Sequence, residues 1–193
     1  MGEAALRTGI TEQEYLAFER AAEERHEYAD GEIFAMSGGT VAHSLIAANV
    51  SGELRSALLE RPCNVHGADL RIHIPATGRY TYADVLVVCG EAVLTDGESD
   101  TLENPVLIVE VLSDSTEKYD RGDKFEHYQT IASLRDYVLV SQKKARVEHY
   151  HRQPDGSWLL RTSGPGDRVV LESIGCELAV DRVYLKVFGQ AAG

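Results

Sequence analysis

Val106–Leu112 (VLIVEVL) is aliphatic at every position but one, and Tyr80–Val88 (YTYADVLVV) is nearly as apolar. Short runs of this kind, rich in β-branched residues and apolar on both faces, predict strands buried on two sides. Each run contains a single acid, Glu110 in the first and Asp84 in the second.

Around these two runs the period of the pattern changes repeatedly. Thr11–Glu24 has Tyr15, Leu16, Phe18 and Ala22 at near-helical spacing behind a Thr cap, which predicts a helix. His26–Ala29 and Glu32–Met36 flank Asp30-Gly31, the signal of a hairpin. A Ser37-Gly38-Gly39-Thr40 loop leads into a second helix over Val41–Glu60, with His43, Ile46, Val50, Leu54 and Ala57 on one stripe. Cys63–Ile74, Tyr80–Cys89 and Val106–Leu112 predict three strands, the last two separated by the polar loop Glu91–Asn104. A helix over Asp120–Ala132 follows, then strands over Asp136–Ser141 and Ala145–Arg152. The tail alternates short strands with turns at Pro154-Asp155-Gly156 and Gly164-Pro165-Gly166, and a short helix near Asp181–Phe188 closes it. No repeat, low-complexity tract or linker interrupts this order. It predicts one domain over residues 1–193, an α/β (α+β) fold with a mixed sheet flanked by helices and extra β-hairpins at both ends.

The chemistry starts from the two acids. By period two, Glu110 shares a face with Val106, Ile108 and Leu112, and Asp84 with Tyr80, Tyr82, Leu86 and Val88. Two carboxylates on neighbouring buried strands repel, unless a divalent metal or a lysine lies between them. The plainer alternative is that each caps a strand or pairs with an arginine. Lys124 falls inside the stripe of Phe125, Tyr128 and Ile131 and so faces the sheet, either to meet these acids or to snorkel along apolar surface. Arg121, on the same face, is a candidate for holding a phosphate. His43 lies in the first turn of its helix, where free N–H groups favour anions, and is either a contact to a phosphate or a metal-bound water, or a satisfied core histidine. Asp69, Arg71 and His73 form one face of their strand, a polar cleft wall or a solvated surface. His149 and His151 share a face and read as exposed, and Glu27 and Glu32 read as turn-region charges.

Composition changes this picture in two places. The formal net charge of −12 argues against a general polyanion-binding surface, although a local basic rim can serve an acidic protein. The three cysteines, Cys63, Cys89 and Cys176, are widely spaced, with Cys89 read as a buried thiol; a cysteine zinc site is not expected and a reducing cytoplasm fits best. The N-terminus has no apolar h-region, and no run reaches the roughly 20 residues of a membrane span.

The succession YADGEIFAMSGGTVAHSLI, ADLRIHI, YADVLVV, PVLIVEVLSDST and YDRGDKFEHYQTIASLRDYVLV resembles the Uma-type restriction-endonuclease-like family of the PD-(D/E)XK nuclease superfamily, from about Thr11 to Phe188. The resemblance implies a restriction-endonuclease-like αβββαβ core, with a metal-binding Asp on one strand and an acid-x-Lys triplet on the next. Asp84 matches the first acid and Glu110 the second. Ala83 stands where the pattern has Pro, and SDST where relatives commonly read SPST. The triplet reads Glu110-Val111-Leu112, without its lysine. Members of the superfamily can supply that lysine from the following helix, where Lys124 lies.

The function so implied is Mg²⁺-dependent hydrolysis of DNA phosphodiester bonds, with Mn²⁺ as a possible substitute. Asp84, Glu110 and the Val111 carbonyl would hold the metal, Lys124 would assist the attacking water, and His43 and Asp69 would shape the pocket. A homodimer is expected as the commonest oligomer, and it would present two sites to a duplex. Two rival readings stand beside this one: a non-catalytic binding or assembly module that retains the fold, and a metal-dependent hydrolase of another phosphoester.

Overall fold

A computed structural model describes residues 5–36, 38–97 and 100–188. Ser37 of the predicted loop before the second helix therefore lies outside the described residues.

Two six-stranded sheets organise the chain. In chain order the first contains β1 (Arg7–Thr8), β2 (His26–Ala29), β3 (Glu32–Ala35), β5 (Arg71–Ile74), β6 (Arg79–Tyr82) and β8 (Thr101–Leu102), and the second contains β4 (Cys63–Gly67), β7 (Val85–Cys89), β9 (Leu107–Leu112), β10 (Asp136–Ser141), β11 (Val147–Arg152) and β12 (Trp158–Ser163). The spatial order of the second sheet is β12-β11-β10-β9-β7-β4; it is mixed, because β9 runs parallel to β10 and antiparallel to β7. A small ribbon of β13 (Arg168–Leu171) and β14 (Cys176–Ala179) completes the strands.

The helices are α1 (Glu12–Ala21), α2 (Val41–Ala57), α3 (Glu117–Arg121), α4 (Asp123–Tyr128) and α5 (Val180–Val183). Thr11 closes a reciprocal capping box with Glu14, so α1 begins where the Thr cap predicts. The Thr40 hydroxyl accepts the His43 N–H at 3.1 Å, which fixes the first turn of α2. Between β2 and β3, Asp30 and Gly31 both adopt positive φ (52° and 81°), as a two-residue turn joining twisted strands requires.

Strand β9 lies at the centre, with all six residues buried. Leu107, Val109 and Val111 join Ile46, Val50 and Leu54 of α2 and Leu178 of β14 in one core. Ile108 and Leu112 turn the other way, into a second core with Phe125 and Tyr128 of α4 and Tyr137 of β10. Period-two alternation therefore aims Glu110 at the α4 side, beneath Lys124.

Several predicted elements are corrected. Cys63–Ile74 is two strands rather than one, because a turn at Ala68-Asp69 carries the chain from β4 in one sheet to β5 in the other. Tyr80–Cys89 likewise breaks at Ala83-Asp84, so Asp84 occupies a bend between the sheets instead of a strand interior. Gly122 divides the predicted Asp120–Ala132 helix into α3 and α4. Cys89 is not a free thiol: β4 and β7 pair Cys63 with Cys89 in register, and the two form a disulfide, leaving Cys176 free. Among the described residues no helix is long and apolar enough to cross a membrane.

Leu54 is fully buried whereas Leu59 is exposed. Leu54→Ala should therefore cost about 3 kcal/mol in urea unfolding and Leu59→Ala less than about 0.5 kcal/mol.

Candidate active site

Glu110 is 4% exposed, and one of its oxygens, Oε1, takes two partners from α4: the Tyr128 hydroxyl donates at 2.9 Å and the Lys124 ammonium lies at 3.0 Å. Lys124 is itself buried, within 3.3 Å of Glu27 Oε1 and 3.8 Å of Asp120 Oδ1, and it donates to the Tyr82 carbonyl at 3.0 Å. One ammonium thus serves three buried carboxylates. A buried charge needs such partners, because desolvation costs more than any single pair returns.

The pKa directions express the imbalance. Burial, opposed by Lys124 and reinforced by Asp120 and Asp84, holds the Glu110 carboxyl well above the ordinary carboxylate range. Burial also raises Asp120, against the pull of Lys124. For Lys124 burial favours the neutral amine, but Glu110, Tyr128, Glu27 and Asp120 outweigh it and keep the ammonium protonated far above its usual pKa.

Asp84 approaches from the bend before β7. Its Oδ2 accepts the Val111 N–H at 2.7 Å and lies 3.3 Å from His43 Nε2. The hydrogen bond to Asp84 raises the His43 pKa above its ordinary value, burial opposes this, and the Val111 carbonyl beside the ring adds to it. Gly39 leaves space for that imidazole, since a Cβ there would stand 2.8 Å from Nδ1. Apart from Tyr128, which lies beneath, these groups line one cleft of about 730 Å³, together with Ser113, Thr116 and Tyr119.

The structure therefore brings Asp84, Glu110, Val111, Lys124 and His43 together. It also adds Glu27 and Asp120, which sequence reasoning had not placed at the site. Glu27, read as a turn-region charge, is buried on β2, where Thr81 and Tyr119 donate to it. Asp120 stands four residues before Lys124, across the break at Gly122; in the single helix predicted over Asp120–Ala132 that spacing is itself a signal of contact. Other candidates lie elsewhere. Arg121 is held by Glu148 and Glu117, not poised for a phosphate. Asp69 is exposed and paired with Arg25. Arg71 is buried against Asp100 and Thr101, and His73 lies between Glu103 and Glu12, so these two positions on β5 form neither a cleft wall nor a solvated face. His149 and His151 are not exposed: His149 is buried, His151 is half-buried, and both meet Asp136.

Residues 12–181 match the family Uma2, described as "Putative restriction endonuclease". The chain belongs to this family. Uncharacterized protein slr1290 of Synechocystis sp. is 41% identical over 175 residues, spanning 91% of each chain. Uncharacterized protein sll1609 of the same organism is 37% identical over 151 residues, spanning 78% of this chain and 85% of its own. A crystal structure of "a putative nuclease belonging to DUF820" from Anabaena variabilis superposes with a TM-score of 0.76 at 18% identity, over 92% of this chain and 99% of that one. This neighbour shows the same fold, the restriction-endonuclease-like mixed α+β architecture.

In metal-free protein His43 should titrate above 6.5 by NMR, and Asp84→Asn should lower its midpoint, because the largest raising contribution is gone while burial remains against the Val111 carbonyl and Asp120. A raised folded pKa contributes stability that is complete below about pH 6.5 and is lost as pH rises through the folded value. The stability advantage of wild type over Asp84→Asn in urea should accordingly shrink as pH rises above about 6.5 through the folded His43 value.

Proposed function

We propose that this Uma2-family chain is a Mg²⁺-dependent endonuclease that hydrolyses DNA phosphodiester bonds in the cleft between Asp84 and Lys124. The observation that carries the reading is the carboxylate surplus. Glu27, Glu110 and Asp120 surround one lysine, and Asp84 stands beside them across the strand pair. A hard divalent cation suits such an oxygen-rich donor set.

Asp84, Glu110 and the Val111 carbonyl are the groups that would hold Mg²⁺, which when bound would polarise the phosphate and lower the pKa of a water. The chain's own residues do the rest. Lys124, kept cationic by its carboxylate neighbours, stabilises charge growing on the phosphate and orients the attacking water. Its position on α4 supplies the cation that the Glu110-Val111-Leu112 triplet lacks. His43, with its raised pKa, offers a second positive group on the opposite wall, suited to a phosphate oxygen. Tyr128 and the Val111 N–H hold Glu110 and Asp84 in place.

A homodimer would present two such clefts to the two strands of a duplex. The edge strand β12, with Leu159 and Leu160 exposed, is the surface through which we expect copies to associate. The net charge of −12 favours the alternative of a binding module that keeps the fold without cutting.

A supercoiled-plasmid assay with Mg²⁺ or Mn²⁺ separates the two. Nicking or linearisation should require the divalent ion and fall by about 100-fold or more in Glu110→Gln and in Lys124→Ala. Intact plasmid at every metal concentration, or cleavage unchanged by both substitutions, would remove the nuclease reading.

A further inference from the structure

A second cluster of ligand-type side chains lies outside the acid cleft, on the β10–β11 hairpin. Asp136 opens β10 opposite His151 in the antiparallel ladder, and His149 stands two residues earlier on the same face of β11. His149 Nε2 and His151 Nδ1 each lie 2.7 Å from the same oxygen, Asp136 Oδ1. The Ser173 hydroxyl donates to the other oxygen, Oδ2. Asp136 is fully buried and His149 nearly so, while the His151 side chain keeps 22% of its surface exposed. The cluster is separate from the acid cleft, because Glu110 registers with Leu139, three residues or about 10 Å along β10 from Asp136.

We propose that Asp136, His149 and His151 form a binding site for a transition-metal ion of the Zn²⁺ type. Two imidazole nitrogens and one carboxylate oxygen are a donor set that suits Zn²⁺ or Co²⁺ and that Mg²⁺ avoids. The three ligand atoms lie within 4.8 Å of one another. A four-coordinate ion with bonds of about 2.1 Å needs its ligands roughly 3.4 Å apart, so the two shortest contacts must open by about 0.7 Å. Ser173, bonded to the outer carboxylate oxygen, is the kind of partner that orients a metal-binding carboxylate. Entry is open on one side: His151 lines a surface cleft with Arg135, Arg152 and Ser173, where a water or an anion can complete the coordination. Because Ser173 lies in the turn between β13 and β14, a bound ion would also tie the C-terminal ribbon to the central sheet.

The test uses the untagged full chain carrying Glu110→Gln, which disables the acid cleft and leaves the second site intact. Titration with Co²⁺ should give one equivalent bound, with visible d–d absorption that Zn²⁺ displaces. Long-range ¹⁵N NMR of the histidines should show metal-induced shifts at Nε2 of His149 and Nδ1 of His151. His151→Gln, at a half-buried position, should weaken Co²⁺ binding by at least about 100-fold while circular dichroism stays unchanged. If that variant does not fold, the NMR of the parent chain decides alone. Unshifted imidazoles at millimolar Zn²⁺, or equal Co²⁺ binding with and without His151, would overturn the proposal.

Discussion

A carboxylate in the middle of the most deeply buried strand is the constraint to which the rest of this structure answers. Strand β9 faces two cores at once, and Glu110 takes a position where its neighbours Ile108 and Leu112 are aliphatic and packed. Leaving that charge unmatched would cost several kcal/mol. The fold therefore brings α4 across the sheet so that Lys124 and Tyr128 reach the same oxygen. Glu27 and Asp120 then share the lysine, and the first sheet is drawn over the site because β2 carries Glu27.

That arrangement is overdetermined for stability and underdetermined for charge. Three carboxylates around one ammonium leave an excess negative charge, which the raised Glu110 and Asp120 pKa values register. Replacing the whole group by aliphatic residues would make a drier core, and in stability terms an easier one. The proposed cation site would give the costly alternative a purpose, because a bound cation would offset the excess negative charge. Asp84 and His43, joined at the opposite wall, extend the same logic with one acid and one titratable base.

Much of this was legible in the chain itself. The aliphatic run around Glu110, the apolar stripe that places Lys124 on the inner face of its helix, and the Asp30-Gly31 turn are local patterns, each set by side-chain periodicity or backbone preference. What was not legible depends on how distant segments meet. The run Tyr80–Cys89 is apolar apart from Thr81 and Asp84, with no glycine or proline to mark the bend at Ala83-Asp84 where the chain changes sheets. Cys63 and Cys89 become partners only once β4 and β7 are in register. Glu27 has the look of a turn charge because its strand is four residues long and flanks a hairpin; its partners Thr81, Tyr119 and Lys124 all come from distant parts of the chain. His149 and His151 showed the right period, but their third partner, Asp136, comes from the neighbouring strand.

The central claim is that Asp84 and Glu110 form a carboxylate site for a hard divalent cation. Calorimetric titration of Mg²⁺ into the wild-type chain and into Glu110→Ala addresses it most directly, because Mg²⁺ does not seek the imidazole-rich cluster at Asp136. The account predicts one saturable Mg²⁺ site in the wild type that disappears in Glu110→Ala, with the fold retained. Saturable binding of equal strength in both proteins would contradict it, as would a wild-type chain that binds no Mg²⁺ with or without duplex DNA present.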